Sequence, residues 1–372
     1  MDSAKEDDPN NFLARWLPLF LLGFIGMFLS EALIWNIPPL LCVADNFPLL
    51  TPLVPIFAFF LYLFLFVFFA HWAVHFKVND WVGIVILGSL YGLINEGIFS
   101  DVVHHPGPGP NIFGVFPIMY TFPALSWHAY LDFSLGCFLV SMAFKNKLQL
   151  QISQVSWKEC GGIFCFAFFW YLWLHSKILE KHLPYGLPMG WRLFWFLFPI
   201  ATIAFLLLFI ERQKLHFNPD RILGKWGLGF SFCFLAFALL VRFLKMPNKI
   251  GILIYACVVA FYVLIFWIYL KGRDKDEKRI SIFNSLQPEA LKFSPIKYFK
   301  MTGWLLSFLV VFHILEGTSW FPKLCRLFSV LSILGFILLF FIVTPIIFFK
   351  VHFIIFNNKR RATNINLNQD QS

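Results

Sequence analysis

Residues 81–99 read WVGIVILGSLYGLINEGIF. The stretch is apolar almost throughout and is roughly as long as an α-helix must be to cross a hydrocarbon core. Comparable runs recur along the chain, which is 59% hydrophobic and 13% charged, with 51 Phe and 14 Trp. A soluble domain of 372 residues could not cover that much apolar area with so few polar side chains. The expected fold is therefore all-α: a polytopic transmembrane helix bundle forming a single integral membrane domain.

About ten spans are expected, at roughly 14–34, 51–74, 81–99, 120–144, 157–176, 190–211, 224–244, 250–271, 298–317 and 326–350. Most of the 30 Lys and Arg fall in alternate connections and at the ends of the chain. By the positive-inside rule, this places both termini in the cytoplasm, with the plasma (inner) membrane as the expected location. The same distribution accounts for the +10 net charge without nucleic acid, since no basic stripe on a soluble module is visible. The polar start, MDSAKEDDPNNF, is net acidic where a cleavable signal peptide starts basic, so the first span is expected to be retained. Residues 1–13 read as a polar tail, 272–297 as a charged cytoplasmic linker and 357–372 as a disordered tail. The seven cysteines form no CxxC pair and read as small apolar side chains.

The ionisable residues near the helices gather on the side opposite the basic connections. Glu31, Glu96, Asp101, His104, His105, His128, Asp132, His175, Glu180, His182, His313 and Glu316 all map there. Glu96 lies deepest, and an acid inside an apolar helix must be solvated, paired or neutral. His128 and Asp132 are four residues apart and share a helix face, so the carboxylate can fix the tautomer of the ring. Between Glu96 and His128, the run HHPGPGPNIFGVFPIMYTFP is too apolar for an ordinary loop. Residues 111–126 are expected to dip back into the membrane and wall a water-accessible cavity at Glu96. His71 and His75 have the same i,i+4 spacing but no acid nearby, and they read as interfacial.

Glu96, His128 and Asp132 are thus the candidate catalytic residues. Glu96 would activate water or an acceptor, and His128, held by Asp132, would stabilise developing charge. His104, His105 and His175 are the candidate metal ligands, and the cofactor they would suit is a divalent metal. Zincin, nucleophile-elbow, Walker and Rossmann signatures are absent, as is any internal repeat of the transporter kind.

LYGLINEG, followed some thirty residues later by WHAYLDF, resembles the pattern of the CAAX-protease and PrsW-type membrane proteins. Those proteins carry a glutamate pair on one transmembrane helix and a His with a downstream Asn or Asp on another. The resemblance spans about forty residues and implies a glutamate role for Glu96 and a His–Asp role for His128 and Asp132. Asn95 stands where the first acid of the pair is expected. Three functions remain open: a membrane-embedded hydrolase or transferase acting on a lipid-linked group or membrane peptide, a proton-coupled transporter, and a non-catalytic scaffold. The bilayer is the expected partner in each.

Overall fold

The computed structural model describes residues 9–28, 30, 53–100, 102–104, 110–113, 115–137, 157, 160–165, 167–168, 171, 197, 201–202, 204–206, 208–209, 223–224, 226–245, 249–272, 281–282 and 295–369. Among them the regular structure is helical, apart from one isolated bridge between Ile112 and Val115. The helices are α1 (Pro9–Met27), α2 (Leu53–His75), α3 (Trp81–Ile94), α4 (Pro117–Met119, continued by a π-helix over Tyr120–Leu135), α5 (Gly227–Lys245), α6 (Lys249–Gly272), α7 (Pro295–Glu316) and α8 (Phe321–Gln369). A π turn, Asn95–Phe99, prolongs α3, and a short 3₁₀ turn follows at Val102–His104.

Five helical stretches among the described residues are long and apolar enough to cross a membrane: Ala58–His75, Trp81–Phe99, Gly227–Leu244, Lys249–Gly272 and Phe321–Phe353. They coincide with five of the expected spans. α7 carries a shorter apolar stretch, Phe299–Leu315. The expected spans at 157–176 and 190–211 lie largely outside the described residues, as do Glu31, Asp101, His105, His175, Glu180 and His182.

The chain divides into two compact units. One comprises residues 1–67, 135–222 and 284–334, and the other comprises 68–134, 223–283 and 335–372. In the first, α1 lies on the middle of α2 where Gly23 faces the backbone of Leu63 and Gly26 faces the ring of Phe66. In the same unit, Phe164, Phe168, Tyr171, Phe312 and Phe321 form an aromatic cluster, and the Tyr171 hydroxyl lies 3.2 Å from His313 Nδ1.

The second unit is built around α3. Asp80 starts that helix with extended backbone and accepts the Gly83 N–H at 2.9 Å, satisfying one of the donors that every helix start leaves over. The other carboxylate oxygen of Asp80 accepts from the Tyr269 hydroxyl, tying the start of α3 to the end of α6. The stretch Trp81–Phe99 is 94% buried, whereas Gly227–Leu244 is 11% buried and Phe321–Phe353 is 6% buried. α3 is therefore a core element, and the latter two present apolar faces outward, as helices against lipid do.

Residues 111–126, expected to dip back into the membrane, are helical from Pro117 onward. Proline at the first turn suits a helix start, since its missing N–H would have had no partner there, and Phe116 before it is extended. Pro123 then removes a donor inside the helix. The winding widens to the π form, and the hydroxyls of Ser126 and Ser134 donate to carbonyls five residues back, at 2.5 and 2.6 Å. Of residues 357–372, expected to be disordered, those up to Gln369 continue α8. A helix already nucleated extends at one hydrogen bond per residue fixed, so weakly helical sequence can follow a long apolar helix.

Candidate functional site

Gly88, Gly92 and Glu96 recur every four residues and so lie on one face of α3. That face meets α4. A Cβ at Gly88 would lie 2.5 Å from the Ala129 carbonyl oxygen, and one at Gly92 would fall on the carbonyl oxygen of Ala124. Only glycine allows the two backbones to approach this closely, the same device that small residues provide between transmembrane helices.

Close approach decides what Glu96 meets. Its Oε1 contacts Nε2 of His128, and Nδ1 of His128 contacts Oδ2 of Asp132 one turn further along α4. The imidazole thus bridges two carboxylates from two helices, one on each ring nitrogen. Asn95 completes the cluster, with its amide nitrogen 3.3 and 3.4 Å from the two ring nitrogens and 3.5 Å from Glu96 Oε1. Asn95, Glu96, His128 and Asp132 are all buried; Glu96 is 4% exposed and Asp132 0%. Below them the ring of Tyr91 meets that of His128 edge-on, and Phe69 and Phe133 pack against Tyr91.

Burying one carboxylate costs several kcal/mol, so two in an apolar core require a cation or shared protons between them. His128 is the group that supplies this. Each carboxylate holds one nitrogen of the ring and fixes its orientation. Water-accessible exposure, the sequence expectation for Glu96, is corrected accordingly: the carboxylate is solvated by protein groups.

The π turn that carries Glu96 is held from two further helices. The Tyr255 hydroxyl of α6 donates to the Leu93 carbonyl at 2.9 Å, and its ring lies where a side chain at Gly97 would be. Arg242 of α5 donates from Nε to the Ile98 carbonyl at 2.6 Å and from Nη2 to the Phe99 carbonyl at 3.3 Å. These carbonyls end the helix, where a cation is favoured by the dipole. Ser100 closes the turn; its hydroxyl lies 3.0 Å from Glu96 Oε2 and 3.1 Å from the Asn95 carbonyl. The second half of the chain is thus more than apolar scaffold, since it supplies Arg242 and Tyr255 to this turn.

Of the expected metal ligands, His104 does not join this cluster. His104 places Nε2 3.1 Å from the Gly97 carbonyl oxygen and its ring against Tyr255, so it braces the same turn. His105 and His175 lie outside the described residues. Among the described residues, no group of three or more His, Cys, Asp or Glu is placed to hold a metal ion. Both nitrogens of His128 are engaged by carboxylates, so its ring serves proton transfer better than coordination.

Ser100, Arg242, Tyr255 and the two glycines were not singled out from sequence, and Asn95 was noted only as standing where an acid was expected. The glycines carried a readable signal, GSLYG with Glu96 four residues on. No family model, no curated protein and no solved structure matches this chain.

Proposed function

We propose that this protein is a membrane-embedded hydrolase or transferase whose acid–base group is the Glu96–His128–Asp132 relay. The observation that carries the reading is the imidazole bridging two buried carboxylates from different helices. A scaffold needs only hydrogen bonds between its helices, and one carboxylate on His128 would supply that. Two carboxylates sharing a ring, with a third polar group from Asn95, make a unit that accepts and returns a proton during bond cleavage. The resemblance to the CAAX-protease and PrsW-type pattern points the same way. The substrate class is a lipid-linked group or membrane peptide that reaches the site laterally.

The proposal includes about ten spans in the plasma (inner) membrane, with both termini cytoplasmic. The helix directions described above support this alternation. The start of α3 meets the end of α6 at Asp80 and Tyr269, while the end of α3 meets the end of α5 at Phe99 and Arg242.

The test compares membranes from cells producing the wild type or Glu96→Gln at equal protein level. Lipid and peptide extracts are read by mass spectrometry. A product pool present with the wild type and absent with Glu96→Gln is expected; indistinguishable extracts would overturn the reading. A buried proton-sharing unit also suits a proton-coupled carrier. Indistinguishable extracts together with pH-driven uptake into proteoliposomes would establish that alternative.

A further inference from the structure

Ser100 is exposed, yet its hydroxyl lies 3.0 Å from Oε2 of the buried Glu96. From the surface inward, the polar groups run Ser100 hydroxyl, Glu96 carboxylate, His128 imidazole, Asp132 carboxylate. The two oxygens of Glu96 have different partners. Oε1 is held by His128, which leaves Oε2 aimed at Ser100. That is the arrangement of an activated nucleophile: a hydroxyl in reach of a base, and a base oriented by a further group.

We propose that Ser100 is the reacting hydroxyl of this site and that its substrate is the acyl ester of a membrane lipid. The inference rests on the hydrolase or transferase reading above. Depth identifies the substrate class. Ser100 is the first residue beyond the apolar stretch Trp81–Phe99, which at 1.5 Å per residue spans about 28 Å. It therefore sits where hydrocarbon gives way to headgroup, the level of the ester carbonyls of a glycerolipid. Arg242, anchored on the carbonyls of Ile98 and Phe99, places a positive charge beside that position, where an oxyanion would develop.

The steps balance without a further reagent. Ser100 Oγ attacks the ester carbonyl carbon, and its proton passes to Glu96 Oε2. The tetrahedral oxyanion collapses, the bond from carbonyl carbon to glycerol oxygen breaks, and the leaving oxygen takes the proton back from Glu96. An acyl-serine and a lysolipid remain. Water, or an alcohol acceptor, then attacks the acyl carbon and gives its proton to Glu96, and Ser100 Oγ leaves and recovers that proton. His128 and Asp132 act as positioning residues, keeping Glu96 in register with the hydroxyl.

The test uses the full chain in liposomes of phosphatidylethanolamine and phosphatidylglycerol, with a fluorophosphonate as covalent probe. Lysolipid and free fatty acid are read by mass spectrometry, and the labelled peptide is sequenced. Expected are lysolipid formation and a single label on Ser100 in the wild type. Ser100→Ala should lose both. Glu96→Gln should slow both at least about a hundredfold. Ser307→Ala, whose hydroxyl donates to the Gly303 carbonyl on α7, should change neither. Because the labelled residue is read in the wild type, the result holds even where Ser100→Ala fails to fold. Lysolipid formed without any label on Ser100, and lost only in Glu96→Gln, would overturn the serine while leaving the hydrolase reading intact. Activity unchanged in Glu96→Gln would overturn both. Neither lysolipid nor label with the wild type would overturn this inference alone, since the extract comparison tests the broader reading independently.

Discussion

At the residue scale, the energetic centre of the molecule is His128. Removing one partner from a buried charged cluster costs about 3–5 kcal/mol, because the groups left behind are buried without compensation. His128→Ala leaves both Glu96 and Asp132 in that position. Its thermal unfolding in detergent should show a loss of that order, whereas His313→Ala, half-buried beside Tyr171, should cost far less. Equal shifts for the two variants would mean that the carboxylates are not held by His128. A double-mutant cycle between Glu96→Gln and His128→Gln adds a finer check. Groups in direct contact couple by about 0.5–3 kcal/mol, and additivity would contradict the contact. The pairing of these residues was legible because an acid in an apolar helix demands a partner, and His128 with Asp132 had the right spacing. The contact of Asn95 with the ring and the place of Ser100 were not legible. An amide inside a helix and a hydroxyl at its end carry no periodic signal, and their roles arise from the π turn that redirects them.

At the scale of elements, the site depends on how closely α3 approaches α4. Gly88 and Gly92 set that distance, and a methyl group at Gly92 would collide with the Ala124 carbonyl, which cannot move without moving α4. Gly92→Ala should therefore lower the yield of folded protein sharply in a fluorescence size-exclusion assay. Gly229→Ala on α5 and Gly303→Ala on α7 have open space around the added methyl. There the helical preference of alanine should leave stability unchanged or raise it by about 0.5–1 kcal/mol. A tolerated Gly92→Ala would contradict the α3–α4 packing. Tyr255→Phe removes one hydrogen bond to the Leu93 carbonyl and should cost about 1 kcal/mol in the same measurement. The helices themselves were readable from apolar length alone, which is why five expected spans coincide with five long apolar helices. The winding of α4 was not readable. Gly and Pro before it suggested a segment dipping into the membrane, and the span expected at 120–144 was read as an ordinary helix. The hydroxyls that support a π register at Ser126 and Ser134 have no sequence period of their own.

At the scale of the whole molecule, the proposed topology places the connection after α3 outside and both termini inside. In a cysteine-free background, Asn111→Cys should react with a membrane-impermeant maleimide added to intact cells. Labelling only after the membrane is opened would reverse the orientation. The central claim is that a proton-sharing relay is buried inside a membrane-embedded protein, and the ring nitrogens of His128 report on it directly. The measurement is ¹⁵N solid-state spectroscopy of histidine-labelled protein in lipid bilayers, with the His128 signals assigned by their loss in His128→Gln. The account predicts two hydrogen-bonded ring nitrogens, with Glu96→Gln displacing chiefly the Nε2 signal and Asp132→Asn chiefly the Nδ1 signal. Ring nitrogens that exchange freely with water, and that respond to neither substitution, would contradict it.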